Sequence, residues 1–268
     1  MRVLAVALLL GGLMGAGCGA SEDASILDER SWAVGVRPDL PGLGLKRADG
    51  TFEGFDVDVA RYVATKLGRN VRFVEALAAD RIPKLVSGEV DLMVAAFSIT
   101  PDRKNDVAFA GPYYVSYQDI LTRSDDTAIK NVRDLSGRKI CAVRGTDAAQ
   151  KVAAMRGVSV QIVNADDYDR CMSLLRNRGV DALTTNDVIL AGLVRREGKG
   201  VRLINARYAE QRTGIGLRKG DPDGCEAVNK AITEMYQDGT ATRLVRKWFG
   251  GTGLDPSIIA VPQFEGCD

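Results

Sequence analysis

Apolar positions along this chain recur every second residue in some stretches and every third or fourth in others, and the two periods alternate. SWAVGVRP (31–38) and NVRFVEA (70–76) read as strands, and VDLMVAAF (90–97) as a buried strand. Between them GFDVDVARYVATKLG (54–68) is amphipathic: Val57, Ala60 and Val63 fall on one helical face and Gly68 stops the helix. DRIPKLVSG (80–88) is a short helix ending at Gly88, and TPDRKNDV (100–107) begins another. The same order then recurs. RKICAVRG (138–145), VSVQIVNA (158–165) and VDALTTN (180–186) are strands, and TDAAQKVAAMRG (146–157) and YDRCMSLLRNRG (168–179) are helices. RTGIGLRKG (212–220) is a strand, residues 223–239 and 240–250 are helices, and a tail with Pro256 and Pro262 follows. The alternation predicts an α/β architecture. LVSGEVDLMVAA and LRNRGVDALTTN both run from a helix through a glycine into Val-Asp and a strand, which suggests two lobes of similar construction.

The 268 residues suffice for one large domain or two ordinary ones. A net charge of +1 without blocks of like charge argues against a general nucleic-acid or anionic-membrane binder. The absence of histidine removes His-based catalysis, His metal sites and a His pH switch. Residues 1–17 have a basic start, a short apolar stretch and small residues, the pattern of a signal peptide. Ala16, Gly17 and Cys18 resemble a bacterial lipobox, with Gly15 where leucine is usual. Cys18 is therefore the expected lipidation site, and residues 18–29 a lipid-anchored tether, the alternative being an ordinary signal peptide cleaved nearby with Cys18 incidental. Four cysteines remain, Cys141, Cys171, Cys225 and Cys267, an even number that suggests disulfides in an exported chain. They can pair in three ways.

Arg103 poses a question of its own. It lies where a helix begins, and helix N-termini disfavour cations. Either the guanidinium pairs with a surface carboxylate such as Asp106, or the site is built for an anion.

GFDVDVARYVATKLG, SGEVDLMVAAFSITPDR, FAGPYY, DALTTNDVILAGL and GIGLRKGD, in this order and spacing, resemble the extracytoplasmic solute-binding proteins (family 3) of polar amino-acid ABC transporters, the glutamate-binding branch above all. The resemblance implies a two-lobed periplasmic-binding-protein-like fold of type II. Each lobe is a mixed sheet flanked by helices, and two hinge crossings join them. Lobe 1 would hold residues 30–116 and 213–268, and lobe 2 residues 117–212. It also implies roles for residues. Arg103 would pair with the ligand α-carboxylate, Ser98 would donate a hydroxyl, and the Ala96 carbonyl would accept from the amino group. Backbone N–H groups of Thr146 and Asp147 would meet the anion, Thr146 serving also as a helix N-cap. Asp147 stands where relatives carry Ser or Thr, and Asn186 where they carry the aspartate that holds the α-ammonium. Asp147 or Asp187 would then supply that charge, or the amino group is held weakly, or the ligand lacks one. Arg37 either faces the ligand side chain, favouring glutamate, or points to water.

The implied function is capture of an acidic amino acid by a monomeric envelope lipoprotein that delivers it to an ABC permease, without catalysis, cofactor, metal or nucleic acid. The alternatives are a dehydratase-like enzyme acting on a dicarboxylate and a ligand-sensing receptor. Because a bridge between lobes would resist hinge motion, the resemblance implies the within-lobe pairs Cys141–Cys171 and Cys225–Cys267.

Overall fold

A computed structural model describes residues 25–252, 254 and 263–267. The expected signal peptide and the lipidation site Cys18 lie outside these residues. The strands are β1 (Ser31–Val36), β2 (Asp39–Leu40), β3 (Gly44–Lys46), β4 (Phe52–Glu53), β5 (Asn70–Glu75), β6 (Leu92–Met93), β7 (Ala108–Arg123), β8 (Lys139–Val143), β9 (Gln161–Ala165), β10 (Ala182–Asn186), β11 (Val201–Leu203) and β12 (Ala209–Leu217). The helices are α1 (Phe55–Lys66), α2 (Arg81–Val86), α3 (Pro101–Lys104), α4 (Ala148–Ala153), α5 (Tyr168–Arg176), α6 (Asp187–Glu197), α7 (Pro222–Gln237) and α8 (Thr240–Phe249).

Among the described residues, nine strands form one continuous sheet in the order β5-β1-β6-β12-β7-β10-β8-β9, with β11 also on β7. The centre is antiparallel: β7 pairs with β12 on one side and β10 on the other. Each wing is parallel, β5 and β6 flanking β1, and β9 and β10 flanking β8. The wings are the two lobes, and β7 and β12 are the two crossings. At 16 residues β7 spans roughly 50 Å, enough to belong to both. Strands β2, β3 and β4 form a separate small sheet on the first lobe, against α1.

Helix α1 buries Val57, Val59, Ala60, Val63 and Ala64, and at its start Phe55 and Asp56 as well. Residues 25–29, placed by the sequence in the tether, fold onto the first lobe. Ile26 is buried, its N–H donates to Asp221 Oδ2 at 2.8 Å, and its carbonyl accepts from Trp32 Nε1 at 2.7 Å. Two disulfides join Cys141 to Cys171 and Cys225 to Cys267, with Cα separations of 5.7 and 5.8 Å. The first ties β8 to α5 in the second lobe, and the second ties α7 to the tail.

Two predicted elements end early. The strand predicted over 90–97 is reduced to Leu92–Met93, and the chain turns at Ala96, which has φ +47°. The helix predicted over 146–157 is the six-residue α4, capped at Asp147 rather than Thr146.

Candidate functional site

Between the lobes lies a narrow cavity. Three segments of the first lobe wall it: the end of β1 with Arg37, the start of α2 with Arg81, and the stretch after β6 with Ala96 and Ser98 in the loop and Arg103 on α3. The second lobe supplies Thr146, Asp147 and Ala148 before and within α4, Tyr168 on α5, and Thr185, Asn186 and Ile189 at the β10–α6 junction. Gln118 on β7 closes the wall. All seven residues assigned to ligand from the sequence therefore line one cavity. Asp187 does not.

The loop carrying Ala96 and Ser98 is fastened on three sides. Asp56, fully buried at the start of α1, accepts from the Ala96 N–H and the Tyr113 hydroxyl, both at 2.8 Å. Arg81 donates to the Ala96 carbonyl at 2.8 Å. The crossing β12 takes the rest: Ile99 N–H donates to the Arg212 carbonyl at 2.8 Å and Gly214 N–H to the Phe97 carbonyl at 3.0 Å. These bonds explain how a non-glycine residue holds the left-handed conformation at position 96.

The charges are unevenly compensated. Arg37 is 1 % exposed and forked onto Asp39, at 2.7 Å from Nε to Oδ1 and 2.6 Å from Nη2 to Oδ2. Arg81 is 3 % exposed and bonds only carbonyls: Ala78, Ala95, Ala96 and, at 2.7 Å across the cleft, Gly145. Arg103 donates to the Ser98 carbonyl at 2.7 Å and to the same Gly145 carbonyl at 3.1 Å. The Phe97 ring lies against both guanidiniums, 4.8 and 5.2 Å from their carbons. Among the described residues no carboxylate forms an ion pair with Arg81 or Arg103. Burial pushes both guanidiniums below their ordinary value, and on Arg81 the neighbouring Arg103 and Arg37 add to it. Two concentrated positive charges thus face a cavity whose one lining carboxylate, Asp147, is already bound to Lys151 at 2.7 Å. An anion with two acceptor groups is the complementary ligand.

Several assignments from the sequence change. Arg37 lines the cavity rather than pointing to water, and Asp39 is its carboxylate partner. The Thr146 N–H is not turned to the cavity: it donates to the Val143 carbonyl at 3.1 Å, and the Thr146 hydroxyl, not a cap, donates there too at 2.6 Å. Asp147 turns to Lys151, which also reaches Gln211 Oε1 at 3.1 Å. The Asn186 side-chain oxygen Oδ1 accepts from Gln118 Nε2 at 2.9 Å. Asp187 accepts instead from the N–H groups of Tyr117 and Val188, and burial raises it to about 6. Asp106 does not hold Arg103. The sequence reading missed Arg81, Asp39, Gln118 and Tyr168; the sole early signal was a charged residue opening the apolar run RIPKLV.

Among the described residues no helix is long and apolar enough to cross a membrane. The chain is 34 % identical over 261 residues to the glutamate-binding protein GluB of Corynebacterium glutamicum, covering 91 % of this chain and 88 % of that protein. It is 30 % identical over 230 residues to the ABC transporter glutamine-binding protein GlnH of Bacillus subtilis, covering 84 % and 83 %. Among solved structures it is similar to an ancestral arginine-binding protein bound to arginine, with a TM-score of 0.77, 33 % identity, and coverage of 83 % of this chain and 99 % of that one. The model of the bacterial extracellular solute-binding proteins, family 3, matches residues 33–251. That span takes in both wings of the sheet, both crossings and every residue lining the cavity, and the chain belongs to this family.

Proposed function

We propose that the protein captures an acidic amino acid, L-glutamate first, between its lobes and delivers it to an ABC permease in the membrane. One observation carries the choice of ligand: Arg81 and Arg103 converge on the cavity without a carboxylate partner among the described residues. Arg103 takes the α-carboxylate, as its place after Ser98 and Thr100 suggests, and Arg81 takes the side-chain carboxylate. Ser98 donates its hydroxyl to the α-carboxylate, with the Asp147 N–H opposite. The amino group is held by neutral acceptors rather than a dedicated carboxylate, and Gln118 Oε1, buried and without a hydrogen-bond partner among the described residues, is one such acceptor in the cavity wall. A glutamate-binding relative at 34 % identity supports the same ligand class.

In this reading lobe 1 comprises residues 30–116 and 213–268 and lobe 2 residues 117–212, and the cleft closes by hinge motion about the crossings. Residues 1–17 are a signal peptide, and Cys18 carries lipid that holds the chain at the membrane. The protein works as a monomer and binds without turnover.

The test is a panel of L-amino acids and amine-free dicarboxylates, read by calorimetry and thermal shift beside an assay for ligand consumption. L-glutamate is expected to bind tightest and be recovered unchanged. Glutamine or arginine binding tighter would overturn the ligand assignment. Consumption of a dicarboxylate would overturn the binding role in favour of an enzyme.

A further inference from the structure

Gly192 sits in the middle of α6, buried, in ordinary helical backbone, where glycine is a poor helix former. Its surroundings explain the residue. A Cβ at position 192 would lie 2.0 Å from the Pro41 carbonyl oxygen and 3.1 Å from the Pro41 carbonyl carbon. The atoms met are backbone, which has no rotamer by which to give way. Helix α6 belongs to the second lobe, and Pro41 follows β2 of the first. The contact is therefore made between lobes, not within one.

Both sides of it lead to the ligand cavity. Helix α6 starts at Asn186, its N-cap, and Ile189 lines the cavity less than one turn before Gly192. Strand β2 carries Asp39, which holds Arg37 in the cavity wall and accepts from the Tyr168 N–H of the second lobe at 3.4 Å. A second backbone seat lies elsewhere along the cleft. A Cβ on Gly145 would meet Ala78 and Ala79 backbone atoms at 2.5 Å, immediately before Arg81. Beside the Gly192 seat, Arg195 Nη1 donates across the cleft to the Trp248 carbonyl at 3.4 Å.

We propose that Gly192 is the stop that fixes how far the lobes close: a positioning residue that sets ligand affinity without touching the ligand. The cavity draws its polar groups from both lobes. A methyl group at 192 needs an ordinary contact distance from the Pro41 oxygen, so it props the lobes apart by on the order of 1 Å. Hydrogen bonds of ordinary length do not survive that displacement on both walls at once. Closure would then stop short, and bound ligand would escape faster.

Gly192→Ala is the test, with Gly200→Ala as control, since a Cβ there meets nothing within 4 Å. The probe is L-glutamate, and this choice rests on the function proposed above. The parent is titrated first. If it does not bind L-glutamate, the ligand assignment fails, and the seat is read with the amino acid that the panel returns. Unliganded Gly192→Ala is expected to melt at or above the parent temperature, because alanine favours the helix. Its affinity should fall at least tenfold, chiefly through faster release, and ligand should no longer shrink its radius of gyration to the parent value in X-ray scattering. Gly200→Ala should match the parent throughout. Gly192→Ala binding and closing as the parent does, or losing no more than Gly200→Ala, would overturn the proposal. If Gly192→Ala fails to fold, amide hydrogen exchange on the parent decides. Ligand must slow exchange at 189–195 and at 42–46 together, and unchanged exchange at both would overturn it.

Discussion

Arg103 is the third residue of α3, where the Thr100 hydroxyl oxygen accepts from its N–H at 3.3 Å, and its side chain folds back toward Ser98 and the cleft. A cation beside a helix N-terminus is unfavourable unless an anion joins it. Arg103→Ala should therefore weaken ligand binding by roughly 2–5 kcal/mol, and unaltered affinity by calorimetry would place the anion site elsewhere. Arg81→Met separates the two carboxylates. Glutamate affinity should fall by a similar amount while glutamine affinity falls far less, and an equal loss for both would show that Arg81 does not read the side chain. Arg103 was legible in the sequence because its motif sits at one helix start. Arg81 was not, because its burial depends on carbonyls from 78, 95–96 and 145, which only the folded chain brings together. Asp56 was read as a helix residue for the same reason. Burial, its largest influence, raises its carboxyl to about 7 against the hydrogen bonds from Tyr113 and Ala96. The folded state thus holds this proton more tightly than the unfolded chain. The stability it contributes is fully present below about pH 4 and is lost as pH rises through about 7. Asp56→Asn, which cannot titrate, should flatten the melting temperature between pH 4 and 8 relative to the parent; parallel profiles would contradict the assignment.

The regular elements with clean periodicity, α1, β1, β5, α5 and α7, stand where the apolar pattern put them. Other elements were invisible for local reasons. Strand β7 contains Gly111 and Pro112, which interrupt its pattern, yet Asn229 Oδ1 accepts the Gly111 N–H at 2.7 Å and the strand continues. The small sheet of β2, β3 and β4 consists of two- and three-residue strands, too short to show a period. The apolar run at 90–97 looked like one strand, but Asp56 and Arg81 divert it after Met93. The disulfides act at this scale. Cys141–Cys171 closes a sequence separation of 30 within the second lobe. Replacing both cysteines by serine should lower stability by roughly 3 kcal/mol in denaturant melts, with affinity for glutamate preserved wherever the lobe remains folded. A variant as stable as the parent but with weakened affinity would mean that the bridge serves the cleft instead.

Two lobes were legible because the same helix-glycine-Val-Asp-strand passage occurs twice; their junction was not, since it depends on long-range pairing. Strands β7 and β12 pair from Ala108–Leu217 to Gln118–Ala209, with one shift in register between Thr213 and Ile215. This pairing fuses both wings into one sheet, so neither lobe has an edge at the crossing along which it could separate and stay folded. The pairing of Ser98 with Thr213 and of Gln118 with Asn186 then sets the cleft walls on the same two strands. Stability and ligand binding are thereby linked through the whole molecule. Calorimetric unfolding should show a single transition, not one per lobe, and ligand should move it as a unit. At a free ligand concentration one hundred times Kd the added stability is about 2.7 kcal/mol. For a chain of this size that shifts Tm by roughly 5–10 °C. Two separate transitions, only one of them responding to ligand, would show that the lobes melt independently and that the crossing strands are a tether between them.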